Sequence, residues 1–102
     1  MNLASLMKQA KQMQKKMNAA TKEFEAKSFA FSGQQDLIKG TMKGDLSIVE
    51  LHIDESLLSA DNKEVLSDML MITINEITKK VCKEKEDTLN QISNGVDVSM
   101  FM

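Results

Sequence analysis

Apolar side chains recur at alternating steps of three and four residues through the first quarter of the chain. We call this set the seam; it consists of Leu3, Leu6, Ala10, Met13, Met17, Ala20 and Phe24. The spacing is that of a heptad repeat, and no Gly or Pro interrupts it. It predicts one amphipathic helix over residues 2–26 whose seam packs against another helix.

The polar side of this helix carries a row of lysines. Lys8, Lys15 and Lys22 repeat every seven residues opposite the seam, Lys11 takes a neighbouring outward position, and Lys16 lies between Lys15 and the seam residue that follows. Almost no acidic residue is interleaved, so ion pairs along the helix are not expected. The row is about 21 Å long, enough to follow a phosphate backbone, although a solvated charged face is the alternative.

Period-two alternation replaces the helical pattern after Lys27. Phe29 and Phe31 alternate with small residues and predict a strand that ends at Gly33. Residues 37–42 and 46–53 predict two further strands, and short connections make the three an antiparallel meander. Phe29 and Phe31 are expected to pack in the core of this sheet or in a dimer interface.

Turn residues and strand faces follow from the same pattern. Residues 34–36 predict a turn, and residues 42–45 predict a tight hairpin turn in which Gly44 takes a positive φ. The third strand alternates between an apolar face and a polar face. The apolar face is expected to carry Val49, Leu51 and Ile53, and the polar face Glu50 and His52.

A second helix is predicted over residues 62–93. Its apolar stripe consists of Leu66, Leu70, Ile74, Ile77 and Val81, and it is widened by Val65, Met69 and Ile72. Asp61, followed three residues later by Glu64, predicts an N-cap with its reciprocal capping partner. Residues 94–102 are expected to form a loose tail. The whole chain, residues 1–102, is predicted to be a single domain in which residues 27–53 form the sheet.

Charge is distributed unevenly along the chain. The 102 residues carry a net charge of −2, but residues 1–27 sum to +4 and residues 28–102 to −6. A basic helix on an acidic body predicts an anionic partner that is reached by the helix. Attraction between the opposite charges of two molecules is the alternative. All thirteen basic residues are Lys. Because Lys contacts phosphate as a point charge, little base-specific readout is expected.

The sequence contains no recognisable pattern of catalytic residues. Its one Cys and one His, Cys82 and His52, form no catalytic or metal-ligand pattern, and no nucleotide-binding motif occurs. We therefore expect no enzyme, no cofactor, no metal and no small-molecule substrate. Cys82 is expected to be a buried or half-buried thiol, and His52 a surface residue. The longest apolar run, 69–72, is too short to span a bilayer, and no secretory signal is present, which predicts a cytoplasmic protein.

Several segments resemble the YbaB/EbfC family of bacterial nucleoid-associated proteins. They are LMKQA at residues 6–10, QMQ at 12–14 with Met17, and IDESLL at 53–58, where the family commonly has Pro at the position of Glu55. Gly33 and Gly44 stand where the family places its hairpin turns. The likeness covers nearly the whole chain. It departs in a shortened first turn and in Lys79 and Lys80, which stand where the family often has Arg.

The resemblance implies an α+β fold (a two-layer α/β arrangement) of helix, three-stranded antiparallel meander and helix. It also implies a sheet-mediated homodimer with projecting helical arms that binds double-stranded DNA in the nucleoid and affects nucleoid organisation and gene expression. The DNA-binding residues expected on the arm are Lys8, Lys11, Lys15, Lys16 and Lys22. A second, weaker candidate surface consists of Lys79, Lys80, Lys83 and Lys85. Two alternatives are a dimeric adaptor whose heptad helix docks a partner helix, and an RNA-binding protein.

Overall fold

A computed structural model of the chain describes residues 2–93. The elements in chain order are helix α1 (Leu3–Ala26), strands β1 (Ser28–Ser32), β2 (Ile38–Lys43) and β3 (Ile48–Ile53), and helix α2 (Lys63–Ile92). The strands pair antiparallel in the order β1-β2-β3. The predicted α+β fold of helix, antiparallel meander and helix is confirmed. The expectation of a loose segment over 94–102 lies outside the described residues.

Helix α1 is continuous over 24 residues because good helix formers fill it and nothing breaks it. It begins with a side-chain cap, in which Asn2 Oδ1 accepts a hydrogen bond from the Ser5 amide at 2.8 Å. It ends where Lys27 takes an extended backbone conformation. The Lys27 ammonium lies 5.7 and 5.8 Å from the ring centroids of Phe24 and Phe29. The end of α1 is thereby fixed directly above β1.

The core lies between the two helices and one face of the sheet. Its buried members are Phe24, Phe31, Met42, Ile77 and Val81, and Phe29 packs against them. Phe31 and Phe29 pair with Gly40 and Met42 across β1 and β2, which places these aromatic side chains on the helix-covered face. Their predicted role in the sheet core is confirmed.

Strand β3 lies at the edge of the sheet and contains a bulge. Thr41 pairs with Glu50 whereas the next residue, Met42, pairs with Ile48, so Val49 is an extra residue without a partner. The regular alternation predicted for β3 is therefore interrupted: Ile48 lies opposite Met42, where an unbroken strand would place Val49. All three apolar side chains at positions 48, 49 and 51 are exposed.

The β2–β3 turn also differs from the prediction. The residue with positive φ is Leu46, at 72°, and not Gly44. Leu46 N–H donates to the Lys43 carbonyl at 2.8 Å, which closes a three-residue loop. Gly44 is needed for space: an added Cβ would overlap the Phe24 carbonyl oxygen. Its N–H donates to the Lys27 carbonyl at 3.0 Å. The turn is therefore packed under the end of α1.

Replacing Leu46 with Gly is expected to stabilise the protein by about 0.5–1 kcal/mol. A left-handed backbone costs an L-residue about 1–2 kcal/mol, and the greater freedom of Gly in the unfolded chain offsets part of the gain. Urea unfolding measures the change. Leu46→Ala is the control, because it removes the exposed apolar side chain but keeps the Cβ. An equal gain from both substitutions would mean that backbone strain is not the cause.

The start of α2 contradicts the predicted capping pair. Residues Ala60–Asn62 form a 3₁₀ turn, and α2 begins at Lys63 with no side-chain cap. Asp61 lies inside this turn and cannot serve as N-cap. The adjoining Asn62 side chain instead donates to the Ser56 carbonyl at 2.7 Å. A tertiary hydrogen bond between the loop and the helix start therefore replaces the local capping box.

Candidate nucleic-acid interface

Burial of the seam falls steadily from the end of α1 toward its start. Phe24 is 2% exposed, Met13 and Met17 are half-buried, and Leu3 is 72% exposed. The molecule measures 69 × 22 × 17 Å along its principal axes. The first half of α1 therefore projects from the packed body. We call residues 3–22 of α1 the arm.

Helix α2 accompanies the arm over part of its length. Phe24 packs with Ile77 and Val81 in the core, and Glu25 Oε1 lies 3.8 Å from Lys85 Nζ. Beyond this point α2 remains half-buried at helical spacing, at residues 84, 85, 88, 89 and 92. The second half of the seam thus packs against the carboxyl-terminal half of α2, as the heptad pattern predicts, and the first half lacks such cover among the described residues.

The lysines of the arm all project into solvent. Lys8, Lys11, Lys15, Lys16 and Lys22 are exposed. In a continuous helix, Lys8, Lys11, Lys15 and Lys22 fall within an arc of about 60° and span about 21 Å along the axis. We call these four the lysine ridge. Lys16 points about 100° away from Lys15, so it extends from the flank of the arm and not from the ridge.

No lysine of the ridge forms an ion pair with an acidic side chain of residues 2–93. The ion pairs among residues 2–93 join His52 to Glu50, Lys83 to Asp87 and Lys85 to Glu25. None of them involves a ridge lysine. A row of exposed ammonium groups without ion-pair partners creates a positive potential along the arm, which attracts anions.

The second lysine surface, on α2, is divided. Lys83 Nζ lies 3.2 Å from Asp87 Oδ1, and this hydrogen bond raises the pKa of Lys83. Lys85 faces Glu25 of α1. Lys79 and Lys80 are exposed and form no ion pair within residues 2–93. Two charges of the four therefore stay uncompensated, which makes this surface weaker than the ridge.

The remaining chemically active side chains do not build a reaction centre. His52 is a surface residue of the edge strand, as predicted, and lies 2.8 Å from Glu50, where the hydrogen bond lowers the pKa of Glu50. Cys82 is exposed, so its predicted burial is wrong. Val81 occupies the core position, and the next residue of the helix consequently turns outward.

Neither a metal centre nor a membrane span is present in the part of the chain that the structure describes. Within residues 2–93, no three His, Cys, Asp or Glu side chains lie close enough together to hold a metal ion. Neither of the two long helices combines the length and the apolar composition that crossing a bilayer requires.

Comparison with known proteins gives a consistent picture. A sequence profile described as the YbaB/EbfC DNA-binding family matches residues 1–96. The chain is 30% identical over 97 residues to a nucleoid-associated protein of Rickettsia canadensis, covering 95% of this chain and 91% of that protein. It is also 30% identical over 95 residues to a nucleoid-associated protein of Enterococcus faecalis, with coverage of 93% and 91%.

A solved structure shares the fold. The uncharacterized protein HP0035 from Helicobacter pylori superposes with a TM-score of 0.78 at 21% sequence identity, over 90% of this chain and 97% of that one. At such low identity the likeness concerns the backbone architecture alone.

Proposed function

The chain belongs to the YbaB/EbfC DNA-binding family, and from that membership we propose that it is a nucleoid-associated protein whose arm binds the phosphate backbone of double-stranded DNA. Proteins of this family bind DNA and are not enzymes, and neither is this one. The observation that carries the proposal is the uncompensated lysine ridge. Lys16, on the flank, supports the four ridge residues without belonging to the same row.

The chemistry of the ridge favours binding without sequence preference. Lysines interact with phosphate oxygens as point charges, whereas base edges are read mostly by bidentate groups such as Arg, which the chain lacks. Affinity then comes largely from released counterions. With about four phosphates neutralised by each arm of a dimer, log K falls with log salt at a slope near −7. Gel shifts on unrelated duplexes at several salt concentrations test both statements.

The edge strand supports a homodimer. Ile48, Val49 and Leu51 of β3 are exposed, at 40%, 56% and 44%. An edge strand also leaves backbone N–H and C=O groups unpaired, and proteins normally cover or pair such edges. Pairing of β3 with β3 of a second copy would cover the apolar side chains and would pair the free backbone groups. Such a dimer carries two arms, which could hold one duplex between them.

Substituting Leu51 with Lys is expected to shift the protein from dimer to monomer, because it places a charge in the centre of the proposed interface. Sedimentation velocity measures the change. A monomer has one arm, so DNA affinity should also fall, on the order of 10²-fold, through lost avidity. Leu58→Lys is the matched control, since Leu58 is exposed but lies outside β3. A Leu51→Lys variant that sediments like the unaltered protein would refute the interface.

A second candidate function rests on the exposed first half of the seam. Leu3 and Leu6 are exposed seam residues, which suits an adaptor that docks a partner helix. In that case Leu3→Asp or Leu6→Asp would abolish partner binding while lysine substitutions would have little effect. RNA remains a further candidate ligand, because phosphate contacts do not distinguish the two polymers. Competition between RNA and DNA duplexes of equal length separates them.

Location follows from the same proposal. A protein that holds chromosomal DNA without reading its sequence would reside in the cytoplasm on the nucleoid and would affect nucleoid organisation and gene expression. Microscopy of a fluorescent fusion, with and without the ridge lysines, tests this. Loss of nucleoid co-localisation on neutralising the ridge is the expected result.

A further inference from the structure

Helix α2 presents an outward face that nothing in the described chain covers. Its members are Glu64, Val65, Asp68, Met71 and Ile72, all of them exposed. The spacings of three, four and seven residues place them side by side. The three apolar members are 47%, 58% and 58% exposed, although Ile77, five residues after the last of them, is buried. We call this set the α2 outer face.

Acidic side chains without ion-pair partners border the apolar side chains of this face. Glu64 and Asp68 belong to the face, and Asp61 and Glu76 lie just before and after it; all four are exposed. None of them forms an ion pair within residues 2–93. A ligand that suits this face therefore combines apolar groups with positive charge.

The arm has that composition. Along its first half, Met7 lines a shallow groove of about 480 Å³ together with Lys8, Lys11 and Lys15. The apolar residues beside these lysines are Ala4 and Met7, whereas the exposed Leu3 and Leu6 belong to the seam on the opposite side of the helix. The arm is thus a basic, apolar helix of about 20 residues, and the α2 outer face is its acidic, apolar counterpart.

We propose that the arm of one copy docks on the α2 outer face of a second copy. The contact cannot form within one chain, because α1 meets α2 at Ile77 and Val81 and then follows α2 toward its carboxyl end, away from residues 64–72. The surfaces on the two copies are different, so the contact is heterologous and leaves a free arm and a free face at the two ends. Such contacts build closed rings or open chains, depending on the rotation between successive copies.

This self-association needs no DNA, and DNA opposes it. The residues that dock on the face include Lys8, Lys11 and Lys15, which the proposed function assigns to phosphate; only this competition rests on that function. Phosphate has the higher charge density, so duplex DNA should displace the acidic face from the arm. Docking would then keep the arms occupied until DNA is available.

Paired charge reversals test the contact. One variant is Glu64→Lys with Asp68→Lys, and the other is Lys8→Glu with Lys15→Glu. In sedimentation velocity at about 20 mM salt, the unaltered protein should form species larger than a dimer that disappear at about 500 mM. Each variant alone should associate on the order of tenfold more weakly. Mixing the two should restore association, because each supplies the charge that the other now needs.

Controls keep the test decisive. Glu55→Lys with Glu86→Lys changes the net charge by the same amount at exposed sites outside the face and should associate like the unaltered protein. Circular dichroism verifies folding of every variant. The proposal is overturned if the α2 variant alone associates normally or if the mixture does not. DNA binding is measured separately on the α2 variant, which keeps its arm; loss there would count against the proposed function and not against docking.

Discussion

Replacing Lys8, Lys15 and Lys22 together with Gln should weaken binding to every duplex on the order of 10²-fold at about 50 mM salt. These three residues supply most of the lysine ridge, and a dimer loses six of about eight phosphate contacts. The slope of log K against log salt should fall from near −7 to near −2. Because the proposed contacts involve phosphate and not bases, unrelated sequences should lose affinity alike. Gel shifts or fluorescence anisotropy over a salt series measure both quantities.

A charge-matched control distinguishes the ridge from net charge. Lys39→Gln, Lys43→Gln and Lys63→Gln together remove the same three charges from the sheet and from the start of α2. This control should bind DNA within a few-fold of the unaltered protein, with its salt slope unchanged. If the ridge variant keeps its affinity, the arm is not the DNA-binding element. If both variants weaken equally, binding depends on overall charge.

Replacing Phe24 with Ala should lower the free energy of unfolding by about 3–5 kcal/mol. Phe24 is 2% exposed and lies among the core side chains, where truncation leaves a cavity. Such a loss is a large fraction of the total stability of a small domain. Because Phe24 also anchors the root of the arm, the change should reduce DNA affinity even where the protein remains folded. Urea unfolding, followed by binding assays below the transition, measures the two effects.

Leu3→Ala is the matched control for this substitution. It truncates another seam residue of the same helix, but one that is 72% exposed. Its effect on unfolding should lie within about 0.5 kcal/mol. Equal losses at the two positions would mean that the first half of the seam is covered as closely as the second, for instance in the dimer, and the arm would not project freely.

The sequence predicted the helices and strands because buried residues recur every three to four positions in a helix and every two positions in a strand. The steps of three and four define α1, and their success extends to packing from Met13 to Phe24. They could not show where that packing stops, because the length over which α2 follows α1 depends on the path of the intervening sheet. Exposure of Leu3 and Leu6 is thus a tertiary property that the heptad itself does not encode.

The misplaced details share a physical origin in contacts between distant parts of the chain. Gly44 was expected to relieve backbone strain, but its role is to admit the Phe24 backbone. Leu46 takes the left-handed conformation that the hairpin requires. Val49 looks like an alternating strand residue until the bulge displaces it. Such features arise from the fit of the turn beneath α1, which local propensity does not contain.

The candidate DNA-binding surface could be predicted from the sequence only in part. Opposition of the ridge to the seam follows from helix geometry alone, so the exposure of the five arm lysines could be anticipated. The pairing of Lys83 and Lys85 with acidic partners could be anticipated only in part. Asp87 lies one helical turn from Lys83, whereas Glu25 reaches Lys85 from another helix. The α2 outer face was missed because two of its apolar residues, Val65 and Ile72, were predicted to widen the buried stripe of α2, whereas both are exposed.

Support from α2 decides which part of the arm can bend. Packing of the seam extends from Phe24 to Met13, so a bend of α1 would turn about Met13, where that support ends. Leu3 lies 10 residues before Met13, about 15 Å along a straight helix. A tilt of about 10° there would displace Leu3 by about 2.6 Å, whereas Lys15 and Lys22, on the supported side, would keep their places. In the proposed DNA-binding role, the tip could then adjust to duplexes of unequal width without repacking the core.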